Sequence, residues 1–99
     1  MNFDQIRQFA PQILKLAQKH GISRVFVFGS VASGENTPQS DVDLLVEMQE
    51  GASLFGMAGF SYEAEKLLHV PVDVVPFSIL PQVKDREFAI NIQRDAIAL

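Results

Sequence analysis

The chain has 99 residues, of which 47% are hydrophobic, and its formal net charge is −4. This apolar content suffices for one hydrophobic core and argues against disorder, while no apolar run approaches the ~20 residues that span a membrane. The acidic balance argues against direct binding of nucleic acid, which needs a basic surface, and the absence of cysteine excludes disulfides, thiolate metal sites and cysteine nucleophiles.

The N-terminal segment is expected to form an amphipathic helix over residues 3–19. Apolar residues recur there at helical spacing. Pro11 would bend this helix or delay its start, and Gly21 is suited to end it. The early acidic residue Asp4 and the lack of a long apolar stretch argue against a secretory signal, so a cytoplasmic location is expected.

Three strands and further helices follow. The strands are predicted at 24–28, 41–47 and 72–75, with one or two helical turns at 30–34 and a polar loop at 35–40. Ser53 is predicted to cap a helix that ends near Leu68. A final helix is predicted from Pro81 to about Arg94, and the last four residues form a short extended tail.

These elements predict a fold of the α/β (α+β) class. The short link between the first two strands favours an antiparallel pair, and the long helix after the second strand permits a parallel crossover. The expected architecture is a small mixed sheet with helices over one face. The side chains of the central helix that are expected to be buried are Leu54, Phe55, Ala58, Tyr62 and Leu67. Four phenylalanines are core candidates, and any of them left exposed would mark a partner surface: Phe55, Phe60, Phe77 and Phe88.

Asp41 and Asp43 are the first candidates for chemistry. Residues i and i+2 of a strand point to the same face, so both carboxylates would project together. Their mutual repulsion is relieved by a hard cation such as magnesium, which binds carboxylate and phosphate oxygens. Asp73 lies between valines in the third strand, where its apolar neighbours imply burial. If the second and third strands are neighbours, Asp73 faces the same site, and three carboxylates can hold two metal ions for displacement at phosphorus.

Gly29 and Ser30 follow the first strand directly. Glycine permits a sharp turn and a close approach to a ligand. The next residues begin a helix, whose free N–H groups favour phosphate. A Gly-Ser pair alone is a weak signal, but here it stands between an apolar strand and the two aspartates.

Taken together, Gly29-Ser30, Ser40-Asp41, Asp43-Leu44 and Asp73 resemble the nucleotidyltransferase superfamily that includes the DNA polymerase beta palm. In its smallest form this is the minimal nucleotidyltransferase, the antitoxin of HEPN/minimal-nucleotidyltransferase pairs. The resemblance covers most of the chain and implies that residues 1–99 form one nucleotidyltransferase domain with a polymerase beta palm-like fold.

The resemblance also implies a reaction and roles for these residues. AMP would pass from ATP to a hydroxyl, a tyrosine of a HEPN ribonuclease toxin, with Asp41 and Asp43 binding two Mg²⁺ ions. Asp73 would bind the catalytic metal and help to deprotonate the acceptor, while Gly29 and Ser30 hold the phosphates. Ser40 is assigned to the nucleotide site with them. The partners implied are a nucleoside triphosphate and the toxin, in a hetero-oligomer.

The sequence leaves two other functions open. Many members of the superfamily have arginine at the position of Ser33 and a basic or aromatic residue at that of Val31. The reduced positive charge favours a non-catalytic antitoxin that neutralises its toxin by binding. A catalytic subunit that acts on a small-molecule hydroxyl is the third function. The three aspartates favour the enzyme, because a binding protein has no need of three converging carboxylates.

Overall fold

The computed structural model describes residues 1–34, 41–82 and 84–99. Within these ranges no helix is long and apolar enough to cross a membrane. The elements in chain order are α1 (Phe3–Gln8), α2 (Ala10–Lys19), β1 (Ile22–Phe28), α3 (Gly29–Ser33), β2 (Val42–Met48), α4 (Phe55–Leu68), β3 (Val72–Pro76), a 3₁₀ helix (Phe77–Gln82), α5 (Arg86–Asp95) and β4 (Ile97–Ala98).

The four strands form one mixed sheet in the order β3-β2-β1-β4. β1 pairs antiparallel with β2, which confirms the predicted antiparallel pair, and β2 pairs parallel with β3, the arrangement that the long helix permitted. The extended C-terminal tail is confirmed as well, because β4 pairs antiparallel with β1 and the amide of Leu99 donates a 3.0 Å hydrogen bond to the carbonyl of Val25.

Helical structure covers both faces of this sheet, so the prediction that helices cover one face is wrong. One face packs against the larger core, which includes Ile6, Ile13 and Phe60 from α1, α2 and α4. The other face packs against Leu80 of the 3₁₀ helix and Ile92 of α5. The alternation of side chains along each strand explains the division. Both faces of β1 carry apolar side chains and both need cover.

The predicted N-terminal helix is two helices that meet at Phe9. Asn2 begins α1 with a capping box, in which its side chain accepts from the amide of Gln5 and the Gln5 side chain accepts from the amide of Asn2. Pro11 lies in the first turn of α2, where a missing N–H costs nothing. The second helix therefore begins at Ala10, one residue before the proline, and Gly21 follows its end with a φ of 78°.

Two glycines of α4 let this helix pack closely on α2. A Cβ at Gly56 would overlap the carbonyl oxygen of His20, and a Cβ at Gly59 would lie 2.7 Å from Cε1 of the His20 ring. Across the same contact, Oε2 of Glu63 lies 2.5 Å from Nε2 of His20, and Nζ of Lys19 donates a 2.8 Å hydrogen bond to Oε1 of Glu63. These contacts set the rotation of α4 about its axis.

That rotation overturns most of the predicted buried face of α4. Phe60, Ala64 and Leu68 are its buried residues. The helix begins at Phe55, and Ser53 is not its N-cap residue, although the Ser53 hydroxyl accepts from the amide of Phe55 at 3.1 Å. The residues wrongly predicted to be buried lie at the surface, with exposed fractions of 60% for Leu54, 89% for Phe55 and 60% for Tyr62, and Ala58 is exposed with them, while Leu67 is half-buried.

The predicted final helix is also two elements. Pro81 belongs to the 3₁₀ helix, and α5 begins only at Arg86. Asp85 fixes this start, because its Oδ1 accepts a 3.0 Å hydrogen bond from the amide of Phe88. Phe88 itself is 53% exposed, so its assignment to the core is wrong.

Candidate active site

The sheet register brings the predicted site residues into one row. Phe28 pairs with Asp43 across the antiparallel strands, and Asp43 pairs with Asp73 across the parallel strands. Gly29 and Ser30 follow Phe28 directly. Because neighbouring strands lie about 4.8 Å apart and paired residues share a face, the turn after β1 and two carboxylates meet at one place. The second and third strands are neighbours, which was the condition for Asp73 to face the same site as Asp43.

Position 29 requires glycine. Its φ is +73°, in the left-handed region that other residues rarely adopt. A Cβ added there would overlap Oδ2 of Asp43 and lie 3.2 Å from its Cγ. The absence of a side chain therefore lets the Asp43 carboxylate lie directly against the backbone at the start of α3.

The three predicted aspartates differ in exposure, and Asp41 does not line the cavity that contains the other two. Asp41 is exposed and lies one residue before β2, while Asp43 is half-buried. Asp73 is exposed, so its predicted burial is wrong. Val72, one of its apolar neighbours, belongs to the core on the opposite face of the edge strand, which explains the error. Ser40 lies outside the described residues.

The carboxyl group of Asp43 is electrostatically perturbed. Its pKa is raised from 3.8 to about 6, first by burial and then by the negative charges of Asp73 and Asp41. A side-chain hydrogen bond with Asp73 also favours the protonated form. Burial and the neighbouring negative charges therefore favour the protonated carboxyl group of Asp43.

The donor set fits a divalent cation such as Mg²⁺. Carboxylate oxygens are the ligands that this ion prefers, and one or two carboxylates usually hold it together with substrate phosphates. Within residues 1–34, 41–82 and 84–99, no three His, Cys, Asp or Glu side chains form a complete metal-binding cluster. Asp43 and Asp73 are the two paired carboxylates in the cavity that could serve as ligands for such an ion.

A cavity of about 830 Å³ opens over these residues, a volume in the range of small-molecule sites. Gly29, Ser30, Asp43 and Asp73 all line it. The sequence interpretation missed the opposite wall, which comes from α5: Phe88, Asn91, Ile92 and Asp95. These four residues are spaced as one helical face, and that periodicity was the available signal. The sequence alone did not indicate that α5 folds back over the aspartates.

The cavity is acidic. Among the described residues that line it are three aspartates, and no lysine or arginine. Ser33 lines the cavity and its hydroxyl donates to the carbonyl of Ser30 at 3.2 Å, so it adds no charge. Val31 belongs to the core rather than to the cavity. A polyphosphate in this cavity would need an accompanying cation.

Known proteins are similar to this chain in both sequence and fold. The family model described as the nucleotidyltransferase domain matches residues 6–99. A proposed protein adenylyltransferase of Methanocaldococcus jannaschii is 41% identical over 87 residues, which span 87% of this chain and 90% of the relative.

Two solved structures are similar as well. One of a proposed minimal nucleotidyltransferase has a TM-score of 0.80 at 38% identity and covers 100% of this chain and 97% of that chain. A crystal structure of a toxin–antitoxin with AMP-PNP has a TM-score of 0.68 at 17% identity, covering 89% of this chain and 69% of that chain, and shares the fold. With the family model spanning residues 6–99, and with Gly29, Ser30, Asp43 and Asp73 in one cavity, the chain belongs to the nucleotidyltransferase family, as a minimal nucleotidyltransferase, and is an enzyme of that class.

Proposed function

We propose that this chain transfers AMP from ATP to a hydroxyl group of a toxin protein and thereby acts as the antitoxin. The acceptor is a tyrosine of a HEPN-type ribonuclease, the reaction depends on Mg²⁺ with two ions per site, and it takes place in the cytoplasm. The two proteins form a hetero-oligomer. The relative named for protein adenylyltransferase activity and the similar toxin–antitoxin structure support this assignment.

One observation carries the proposal. Asp43 and Asp73 form a cross-strand carboxylate pair beside Gly29 and Ser30 in a cavity large enough for a nucleotide. A raised pKa of about 6 at Asp43 is costly for a residue with a structural role alone, and it is typical of a site that a cation completes.

The proposal assigns a role to each of the candidate site residues. Gly29 and Ser30 contact the β- and γ-phosphates, with Ser40 assigned to the same nucleotide site. Asp41, Asp43 and Asp73 would hold the cations that neutralise the triphosphate, and Asp73 would also help to deprotonate the acceptor hydroxyl. The acceptor oxygen forms a bond to the α-phosphorus, the bond from that phosphorus to the bridging oxygen breaks, and pyrophosphate leaves.

The surface of α4 is consistent with a protein partner. Leu54, Phe55 and Tyr62 are all more than half exposed, with Phe55 at 89%. A group of large apolar side chains at the surface is typical of a protein–protein interaction site. None of the residues that line the cavity belongs to α4, so a partner bound to the α4 surface would not occupy the cavity.

The decisive experiment combines this chain with a HEPN-type toxin, ATP and MgCl₂, and measures the intact mass of the toxin. We expect the mass to rise by one or more AMP increments and the ribonuclease activity to fall in parallel. Asp43→Asn is the matched control, because it removes a carboxylate at nearly constant volume. An unmodified toxin that is nevertheless inhibited in the complex would replace this proposal with the non-catalytic antitoxin. Modification of small hydroxyl compounds alone would support the small-molecule enzyme.

A further inference from the structure

One face of α5 points into the cavity opposite the carboxylates. Phe88, Asn91, Ile92 and Asp95 follow the i, i+3, i+4, i+7 spacing of a single helical face, and all four line the cavity. The helix also contacts α3, which begins at Gly29. The cavity therefore extends from the phosphate-sized turn of Gly29 and Ser30 to a wall that contains an aromatic ring and an amide.

Phe88 is not needed for the core. Ala89 and Ile92 of the same helix are buried in the smaller core, whereas Phe88 is 53% exposed. Its backbone is nevertheless fixed, because its amide donates to the Oδ1 of Asp85 at 3.0 Å. A large exposed ring on a fixed backbone at the edge of a cavity is suited to stacking against a flat ligand.

Asn91 is half-buried and faces the same cavity. Its side-chain amide makes no hydrogen bond to any of the residues that the structure describes. An asparagine amide offers both an acceptor oxygen and a donor nitrogen. The oxygen and nitrogen of the Asn91 amide are therefore both available to a ligand, on the same wall as the Phe88 ring.

We propose that α5 forms the nucleobase subsite of this enzyme, in which the base stacks on Phe88 and the Asn91 amide hydrogen-bonds the edge of an adenine. Asparagine can pair with N6 and N7 of adenine at once, because one is a donor and the other an acceptor. Guanine presents two acceptors at the corresponding positions and cannot make the same pair. The inference rests on the proposed transfer of AMP from ATP, and it adds which residues of this chain bind the base and select adenine over guanine.

The test compares ligands with and without a base. Titration calorimetry measures the dissociation constants of ATP, GTP and inorganic tripolyphosphate, each with MgCl₂, for the wild type, Phe88→Ala and Asn91→Leu. We expect Phe88→Ala to raise the dissociation constants of ATP and GTP at least about fivefold, because the variant loses one stacking contact with the base. Asn91→Leu is expected to weaken the binding of ATP and to abolish the preference of the enzyme for ATP over GTP. Neither variant should change the affinity for tripolyphosphate.

Two residues on the other side of α5 provide matched controls. Ile90 and Gln93 do not line the cavity and lie instead against a smaller depression that includes Arg86. Ile90→Ala and Gln93→Leu should therefore leave all three affinities unchanged. Circular dichroism and melting temperature check that each variant folds, and the exposure of Phe88 predicts a small effect on stability.

The outcomes separate this inference from the proposed function. Wild-type affinity of both cavity variants for ATP would overturn the base subsite and leave the proposed function intact. An equal loss for ATP and tripolyphosphate would also overturn it, because α5 would then act on the phosphates or on the fold. If the cavity variants lose affinity for ATP but not for tripolyphosphate, and the wild type transfers no AMP to its partner, the subsite would be supported and the proposed transfer refuted.

Discussion

The substitution Gly29→Ala tests how the enzyme positions its carboxylates. The added Cβ would overlap Oδ2 of Asp43, and the alanine would have to adopt a φ of +73°. The backbone term alone costs about 1–2 kcal/mol. For a chain of this size, that corresponds to a decrease of roughly 4–16 °C in the melting temperature. The steric overlap adds a second effect, because the Asp43 carboxylate must move away from the turn.

Gly51→Ala is the matched control for this substitution. Gly51 has a φ of +78°, close to that of Gly29, but an added Cβ would meet no atom within 4 Å. It should therefore lose a similar stability through the backbone term, with no change at the cavity. A difference in activity between the two variants then measures the close approach of Asp43 alone.

We expect Gly29→Ala to transfer AMP about 100-fold more slowly than Gly51→Ala, or about 2.7 kcal/mol in barrier height, because a displacement near 1 Å at a reacting centre costs about that factor. The assay is single-turnover transfer of labelled AMP to the toxin at a temperature where both variants are folded by circular dichroism. Equal rates for the two variants would refute the claim that Gly29 is needed to position the Asp43 carboxylate.

Three further predictions concern other residues of the structure. Asp73→Asn should retain binding of ATP with Mg²⁺ by calorimetry but transfer AMP at least ~100-fold more slowly, and near-normal transfer would make Asp73 a structural residue. Because the pKa of Asp43 is raised from 3.8 to about 6, the folded state holds a proton that the unfolded state loses, and stability falls as pH rises through that window. Without divalent cations, Asp43→Asn should therefore melt above the wild type at neutral pH and close to it near pH 4, and MgCl₂ should raise the melting temperature of the wild type alone; a constant difference across this range would contradict the assignment. Gly56→Ala should lower the melting temperature, although alanine in a helix normally stabilises by about 0.5–1 kcal/mol over glycine, because the Cβ would overlap the carbonyl of His20; a higher melting temperature would disprove that close contact.

The antiparallel pairing of β1 with β2 could be predicted from the sequence, which also permitted the parallel pairing of β2 with β3. A link too short for a crossover forced β1 and β2 into an antiparallel pair, and a long helix before β3 allowed a parallel one. With these pairings, strand geometry alone places Asp73 beside Asp43. The turn at Gly29 was equally local, because its position directly after an apolar strand required a residue that can adopt positive φ.

Errors arose where one helix offered two apolar faces. In α4, both Phe55 and Phe60 lie on plausible core stripes, and a pattern of hydrophobic residues does not choose between them. The choice depends on Gly56 and Gly59, which allow α2 to approach and turn Phe60 inward. The same limitation applies to Asp73, whose apolar neighbours are buried on the opposite face of an edge strand while its own side chain is exposed.

The sequence by itself determined the antiparallel pairing of β1 with β2 and the meeting of Gly29 and Ser30 with Asp43 at one end of this pair, because both depend on local geometry and on residue type. Only the tertiary structure decided which residues of the core are buried and what encloses these site residues. The cap at Asp85 delays α5, and packing of this helix on the second face of the sheet brings Phe88 and Asn91 opposite the carboxylates. Contacts between residues so far apart in the chain depend on how whole elements pack, and no local pattern in the sequence encodes them.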